Sequence, residues 1–336
     1  MTHIEWGRQM RGTTPRVRLG AMLVLLMLAG SAVPAAAVPP DGSRAGGTRS
    51  ERVVPAPPAA VSAGTHAAAN RATLAASWAT GQVAPGDTQG WVWNNANPLT
   101  VAYQVGFSPT GASAALPCQF EVTRRWYSQQ PGGERRFHFQ IRNNGAITCA
   151  ATVLLSAQPA TYDWTIAPLA PGATGNYRWV EQVAPTVSYL LGLSPTGASG
   201  AAACQLEITR TWYLQEAGAV RKFAFVVRNI GAVTCGAQVR LAQLSVPTTW
   251  YVGTLAPAGS STWTWNNANP LTAVHLIGLS PWGAQLTDPC QMEITRSWYV
   301  QRVNPDGTTQ RQLALTVTNV GAISCTATVF LTPLTT

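Results

Sequence analysis

The sequence repeats itself at a fixed distance. Trp78, Trp164 and Trp250 stand 86 residues apart, and so do Trp93, Trp179 and Trp265, and Cys118, Cys204 and Cys290. The heptapeptide WNNANPL at 93–99 returns at 265–271, with the divergent WVEQVAP between them at 179–185. A period of this length means one folding unit written three times, with equivalent positions facing equivalent surroundings. The units are expected at 75–160, 161–246 and 247–336.

Spacing inside the unit separates strand from helix. CQFEVTRRWY (118–127), CQLEITRTWY (204–213) and CQMEITRSWY (290–299) put Cys, Phe/Leu/Met, Val/Ile/Ile and Trp at every second position. That period of two predicts a strand with one buried face, the one carrying Trp126, Trp212 and Trp298. FHFQIRNNG, FAFVVRNIG and LALTVTNVG alternate in the same way, followed by Ala151, Val153 and Leu155. After residue 75 no stretch carries a helical period. Turn signals lie between the runs: SPTG at 108 and 194 and SPWG at 280 fit a type I turn, and PGG at 131, AGA at 217 and NPDG at 304 fit hairpin loops. Many short alternating strands in a unit of this size predict an all-β chain of three tandem β-sandwiches.

The strand, Asn-x-Gly, strand element (Asn143 to Gly145, Asn229 to Gly231, Asn319 to Gly321) carries a resemblance, as do LAPGATGNYRW at 169 and LAPAGSSTWTW at 255. They resemble the immunoglobulin-like and fibronectin-type-III-like tandem repeats of bacterial secreted proteins, in which the Leu-x-Pro-Gly run forms an edge hairpin. The resemblance implies sandwich units and leaves the function open, because its motifs are structural.

The N-terminus reads as an export signal. Arg8, Arg11, Arg16 and Arg18 precede an apolar run from Ala21 to Val33 and the small-residue site Ala35-Ala36-Ala37, which predicts a secretory signal peptide over 1–37. The run is too short for a membrane span and is broken by Gly30 and Pro34. Residues 38–74 are rich in Pro, Ala, Gly and Ser and are expected to be a disordered leader. The chain carries 22 basic and 13 acidic side chains; the signal takes four Arg and one Glu, leaving 18 against 12 and a charge of +6. Of that, +2 falls in residues 38–74 and the remaining +4 is spread along the units without forming a basic element, so no nucleic-acid partner is expected. Nor is membrane insertion expected after signal removal. The expected location is secreted, extracellular or periplasmic where the source has an outer membrane.

Each unit holds two cysteines: Cys118 and Cys149, Cys204 and Cys235, Cys290 and Cys325. In an exported chain an even, periodic set predicts one disulfide per unit. Three neighbouring strands of one sheet would hold the two cysteines about 9.6 Å apart, beyond the roughly 6.8 Å that a bridge spans. The third segment therefore crosses to the other sheet, or the cysteines converge in end loops. No Cys-x-x-Cys pair occurs, and His138 and His275 have no histidine counterparts in the other units, so no metal and no cofactor are expected.

Catalysis is not expected either. Ser108, Ser194 and Ser280 sit in Gly-x-Ser-Pro, where a β-turn accounts for the pattern and no helix follows to make a nucleophile elbow. Glu121, Glu207 and Glu293 are the acids present in every unit, and one strand carboxylate per unit reads as a cross-strand charge partner on the solvent side. Arg124, Arg210 and Arg296 read as guanidinium groups stacked on the Trp two residues on, with heads reaching a carboxylate or free carbonyls. The competing reading puts them at a ligand-facing sandwich mouth. Candidate ligand-binding residues are Trp91 with Trp93, Tyr177 with Trp179, and Trp263 with Trp265, pairs that would form flat platforms for a sugar ring beside an NNANP loop; core or inter-domain packing is the competing reading.

The chain is thus expected to be a secreted, non-enzymatic rod of three sandwiches, acting as an extracellular structural or adhesive module toward a glycan or protein surface. Alternatives are a carbohydrate-binding array using the Trp pairs and an accessory protein of a secreted hydrolase. Residues 75–97 would begin the first unit of a simple tandem, or close onto the third to make a ring; the tandem is the expectation.

Overall fold

The computed structural model describes residues 52–54, 73–94, 96, 98–179, 187–245, 248–266, 268, 271 and 273–335. The expected signal peptide and most of the leader lie outside the described residues. The chain is all-β, with a single short 3-10 turn at Ala217–Ala219 among the described residues. Its strands are β1 (Arg52–Val54), β2 (Thr73–Ala79), β3 (Thr88–Trp93), β4 (Val101–Thr110), β5 (Cys118–Gln129), β6 (Arg135–Asn143) and β7 (Ala150–Pro159). The set recurs as β8 (Tyr162–Leu169), β9 (Thr174–Trp179), β10 (Val187–Thr196), β11 (Cys204–Gln215), β12 (Arg221–Asn229) and β13 (Cys235–Ser245). It recurs again as β14 (Thr248–Leu255), β15 (Ser260–Trp265), β16 (Ala273–Trp282), β17 (Cys290–Val303), β18 (Thr309–Asn319) and β19 (Cys325–Thr335). Within the segment expected to be a disordered leader, β1 pairs in parallel with β3.

Each set divides between two layers, an arrangement compatible with a β-sandwich. In the first, β3, β6 and β5 run side by side while β2, β7 and β4 form a separate three-stranded sheet. The equivalents are β9, β12, β11 over β8, β13, β10, and β15, β18, β17 over β14, β19, β16. Alternation supplies the core between layers: Phe137, Phe139 and Ile141 from β6 and Val153 and Leu155 from β7 are fully buried. The disulfides Cys118–Cys149, Cys204–Cys235 and Cys290–Cys325 staple one layer to the other, with Cα atoms 5.9, 5.5 and 5.6 Å apart. The third segment of each set has therefore crossed to the other sheet, the first of the two arrangements that the bridging distance allowed.

The three sets do not form a rod. The end of β5 (Trp126 to Gln129) pairs with the start of β11, the end of β11 (Trp212 to Gln215) with the start of β17, and the end of β17 (Trp298 to Gln301) with the start of β5. Closure is cyclic. Each of these strands has a β-bulge at its middle, between Val122 and Arg124, Ile208 and Arg210, and Ile294 and Arg296. A bulge bends the strand and increases its twist, so its two halves can serve different neighbours. The ring removes three sheet edges that a rod would leave open to other chains. The tandem phase itself holds, since β3 pairs with β6 of its own set and β15 with β18 of its own.

The same bulge overturns the expected face of the Trp residues. Cys118 and Phe120 point inward and are fully buried, but past the bulge the inward residue is Tyr127, also fully buried, and Trp126 is half-buried on the opposite face. Trp212 and Trp298 follow suit. Two turn readings also change. Ser108, Pro109 and Thr110 finish β4 as strand residues, paired with Thr152, Ala151 and Ala150, and Gly111 (φ 104°) ends the strand. Pro109 costs no ladder bond where it sits because β4 is an edge strand of its sheet. The Leu-x-Pro-Gly run is likewise no hairpin: β8 pairs with β13 and β9 with β12, so the run hands the chain from one layer to the other.

A second contact layer closes around the same pseudo-threefold axis. Ala102, Leu190, Val274, Leu276 and Leu334 share an apolar cluster drawn from all three sets. A Cβ on Gly192 would meet Ala102 Cα at 2.9 Å, on Gly278 the Ser188 Oγ at 2.5 Å, and on Gly106 the Tyr299 hydroxyl at 2.9 Å. The glycines that precede the Ser-Pro sequence leave room for close approach of a neighbouring set, of its backbone at Gly192 and of its side chains at Gly106 and Gly278.

Candidate functional site

The expected aromatic platforms line the cores. Trp91 and Trp93 are buried, and Trp78 lies against both with ring centroids at 5.7 and 6.3 Å. Trp179 is buried between Trp164 at 5.2 Å and Tyr162 at 4.6 Å, while the half-buried Tyr177 stacks on Phe225 at 5.4 Å. Trp263 and Trp265 are half-buried, and Trp265 stacks on Trp250 at 6.0 Å. The flat faces a sugar ring would use are largely occupied by these neighbours. Of the NNANP loops, residues 95, 97, 267, 269 and 270 lie outside the described residues.

Around the axis, the strand arginines and glutamates join across the sets. Arg124 makes a two-point bond to Glu207, Nε to Oε1 at 2.7 Å and Nη2 to Oε2 at 3.0 Å. Arg210 reaches Glu293 at 2.7 Å and Arg296 reaches Glu121 at 2.6 Å. Each guanidinium lies over the Trp of its own strand, Arg124 over Trp126 at 5.3 Å and Arg210 and Arg296 over Trp212 and Trp298 at 4.8 Å. Stacked arginines with heads on carboxylates are what the sequence predicted; that the carboxylate belongs to the next set is not. Nor are the acids on a solvent face: Glu121 and Glu207 are 9% and 8% exposed, and burial raises the Glu293 carboxyl despite Arg210.

Where the three bulged strands meet they line a half-open cavity of ≈290 Å³. Its wall carries equivalent residues from each set: Val122, Ile208 and Ile294 form an apolar ring, and Thr123, Thr209 and Thr295 stand with the Arg–Glu pairs. Beyond swaps of one apolar side chain for another, symmetry fails at three places. Arg125 stands where the other sets have Thr211 and Ser297, Gln104 where they have Leu190 and Leu276, and His275 where they have Tyr103 and Tyr189. These three are linked: Arg125 Nη1 donates to Gln104 Oε1 at 3.3 Å, and Gln104 Nε2 donates to the carbonyl of His275 at 3.4 Å.

Electrostatics inside the cavity follow from burial. Desolvation lowers the pKa of Arg125 and pushes His275 down to about 4, its Nδ1 being buried without a hydrogen-bond partner. Burial raises the Tyr127 and Tyr213 hydroxyls and takes Tyr299 up to about 12. Each hydroxyl accepts a bond from a backbone N–H, of Tyr103, Tyr189 and His275 respectively. Among the described residues no group of three or more His, Cys, Asp or Glu is placed to hold a metal ion. Sequence reasoning missed the cavity entirely. Its signal was present, in the positions where one set breaks the pattern of the other two.

Comparison with protein-family models, with curated proteins and with solved structures finds no match.

Proposed function

We propose that this chain is an exported, non-catalytic structural or adhesive module whose immunoglobulin-like units work as one closed body. The observation that carries this reading is the cyclic pairing of β5, β11 and β17, reinforced by the three Arg–Glu bonds and by one disulfide per set. Such closure fixes relative positions and suits a part that bears or presents other things. The disulfides fit an oxidising, extracellular-type environment. No helix among the described residues is long and apolar enough to cross a membrane.

The test is fractionation of the producing cells with an antibody to the native chain. Recovery with the cell envelope or extracellular matrix, with the disulfides intact, is the expected outcome. Recovery in a reduced form from the cytosol would overturn the proposal.

A specific observation favours glycan contact as the adhesive mode. Tyr251 and Trp282, 55% and 41% exposed, stand 5.8 Å apart on the outer face of one sheet. The half-buried Thr326 and Thr328 lie on β19 between the strands that carry them. The equivalent positions of the second set hold Thr165 and Thr196, so the aromatic pair belongs to the third set alone. Arg221 of the second set lies over Trp282 at 6.0 Å. An exposed aromatic pair with hydroxyls and a guanidinium suits the flat face and hydroxyl rim of an acidic sugar. Quenching or enhancement of Trp fluorescence by a uronic-acid polysaccharide, lost in Trp282→Thr, is the expected result; an equal response in the variant would remove this mode.

A further inference from the structure

We propose that the cavity on the pseudo-threefold axis is a binding site for a small organic carboxylate, with Arg125 as the group that holds it. This site is separate from the surface contacts of the adhesive reading and does not depend on them.

Charge bookkeeping around the axis points to an anion. Arg124, Arg210 and Arg296 are each matched by Glu207, Glu293 and Glu121. Arg125 is a fourth cation in the same wall, and among the described residues it has no carboxylate partner; its bond is to the neutral Gln104. A cation drawn partly out of water with only an amide to face costs free energy that an incoming anion would return. The fold does not require this charge, because Thr211 and Ser297 occupy the same place in the other two sets.

A second observation is independent of charge. Gln104 and His275 also depart from their counterparts, and both depart inside this cavity. Gln104 is held by the His275 carbonyl so that its Oε1 meets Arg125, which fixes the guanidinium toward the interior rather than letting it extend to solvent. Two unrelated substitutions, Arg125 and Gln104, converge on one polar corner that the His275 main-chain carbonyl completes, and together they describe a built site.

Size and wall chemistry choose the ligand. At ≈290 Å³ the cavity is at the small end of the range for ligand pockets. Val122, Leu190, Ile208, Leu276, Ile277 and Ile294 give the wall an aliphatic part, beside a polar part made by Arg125, the threonines Thr123, Thr209 and Thr295, and the other arginines. That wall suits a carboxylate with a short apolar body, such as an aromatic or medium-chain acid.

The experiment is calorimetric titration of the disulfide-intact full chain with benzoate and hexanoate, with benzamide as a neutral control and inorganic phosphate as an anion control. Saturable binding of at least one carboxylate, about tenfold or more tighter than benzamide, is expected. Arg125→Thr, which installs the residue of the second set, should weaken that binding at least tenfold. Gln104→Leu, the residue of both other sets, should weaken it less. Both variants are checked for an unchanged far-ultraviolet circular dichroism spectrum. Absence of carboxylate binding, equal affinity in Arg125→Thr, or phosphate bound more tightly than either acid would each overturn the assignment.

Discussion

His275 makes the protein acid-sensitive in a way that one substitution should remove. Its ring is 6% exposed, lies 6.3 Å from the Tyr299 ring, and shares the axial cavity with Arg125. Burial holds its pKa at about 4, against 6.5 for an unburied histidine. The folded pKa is depressed, so on acidification the unfolded chain takes up a proton that the folded chain refuses. Stability is therefore fully present above about pH 6.5 and is lost as pH falls toward 4. Linkage for those two values gives a loss on the order of 1 kcal/mol at pH 5.5 and of 2–3 kcal/mol at pH 4.5, with almost none at pH 7. His275→Tyr, the residue at the equivalent positions 103 and 189, removes the titrating group while keeping a ring the fold already accommodates. The assay is denaturant unfolding of both proteins from pH 7.5 to 4.5 with disulfides intact, reading the difference in free energy at each pH. Carboxylates common to both chains cancel in that difference. A gap that shifts in favour of the variant by roughly 2 kcal/mol between pH 7 and 4.5 is expected; parallel curves would refute the buried, neutral imidazole.

Three further outcomes test the ring and its supports. Gly192→Ala places a Cβ 2.9 Å from the Ala102 Cα, where neither backbone can yield independently, and should cost about 1–3 kcal/mol in the denaturant midpoint with little change in slope. Asn229→Leu removes the Nδ2 bonds to the carbonyls of Leu169 and Val233 and the bond from the Gly231 N–H to Oδ1, all around a fully buried side chain; a loss of about 3 kcal/mol or more is expected on unfolding. Arg296→Met strands Glu121 beside β17 and, because the arginine is half open to water, should cost about 1–2 kcal/mol, part of which Glu121→Gln recovers in a double-mutant cycle.

Much of the fold is legible in the residues. The period of 86 places equivalent side chains in equivalent sites, as Trp78, Trp164 and Trp250 stacking on their β3-, β9- and β15-type partners illustrate. Alternation in FHFQIRN gives β6 and its buried face, and the cysteine count gives the pairing, while the choice between a crossing and convergence in end loops was left to the structure. Asn-x-Gly is readable as a turn but not as a buried, fully bonded asparagine, because its acceptors, the carbonyls of Val83 and Ile147, come from two separate segments. The Trp pairs were ambiguous for a related reason: alternation says which residues share a face, and only the opposing layer says whether that face is covered.

By itself, then, the sequence determined an all-β chain in three equivalent disulfide-linked sets, because period-two burial and paired cysteines are local consequences of side-chain type. Only the tertiary structure decided that the sets close into a ring and that their axis holds a cavity. Ring closure depends on a one-residue bulge in β5, β11 and β17 that reverses which side chains point inward. A bulge leaves no mark on composition, and its effect is felt in pairings between residues as far apart as Trp298 and Glu121. The charge left over at Arg125 acquires meaning partly in the same way: Gln104 meets it inside the first set, but the His275 carbonyl that holds Gln104 belongs to the third set and reaches it only when the ring has closed.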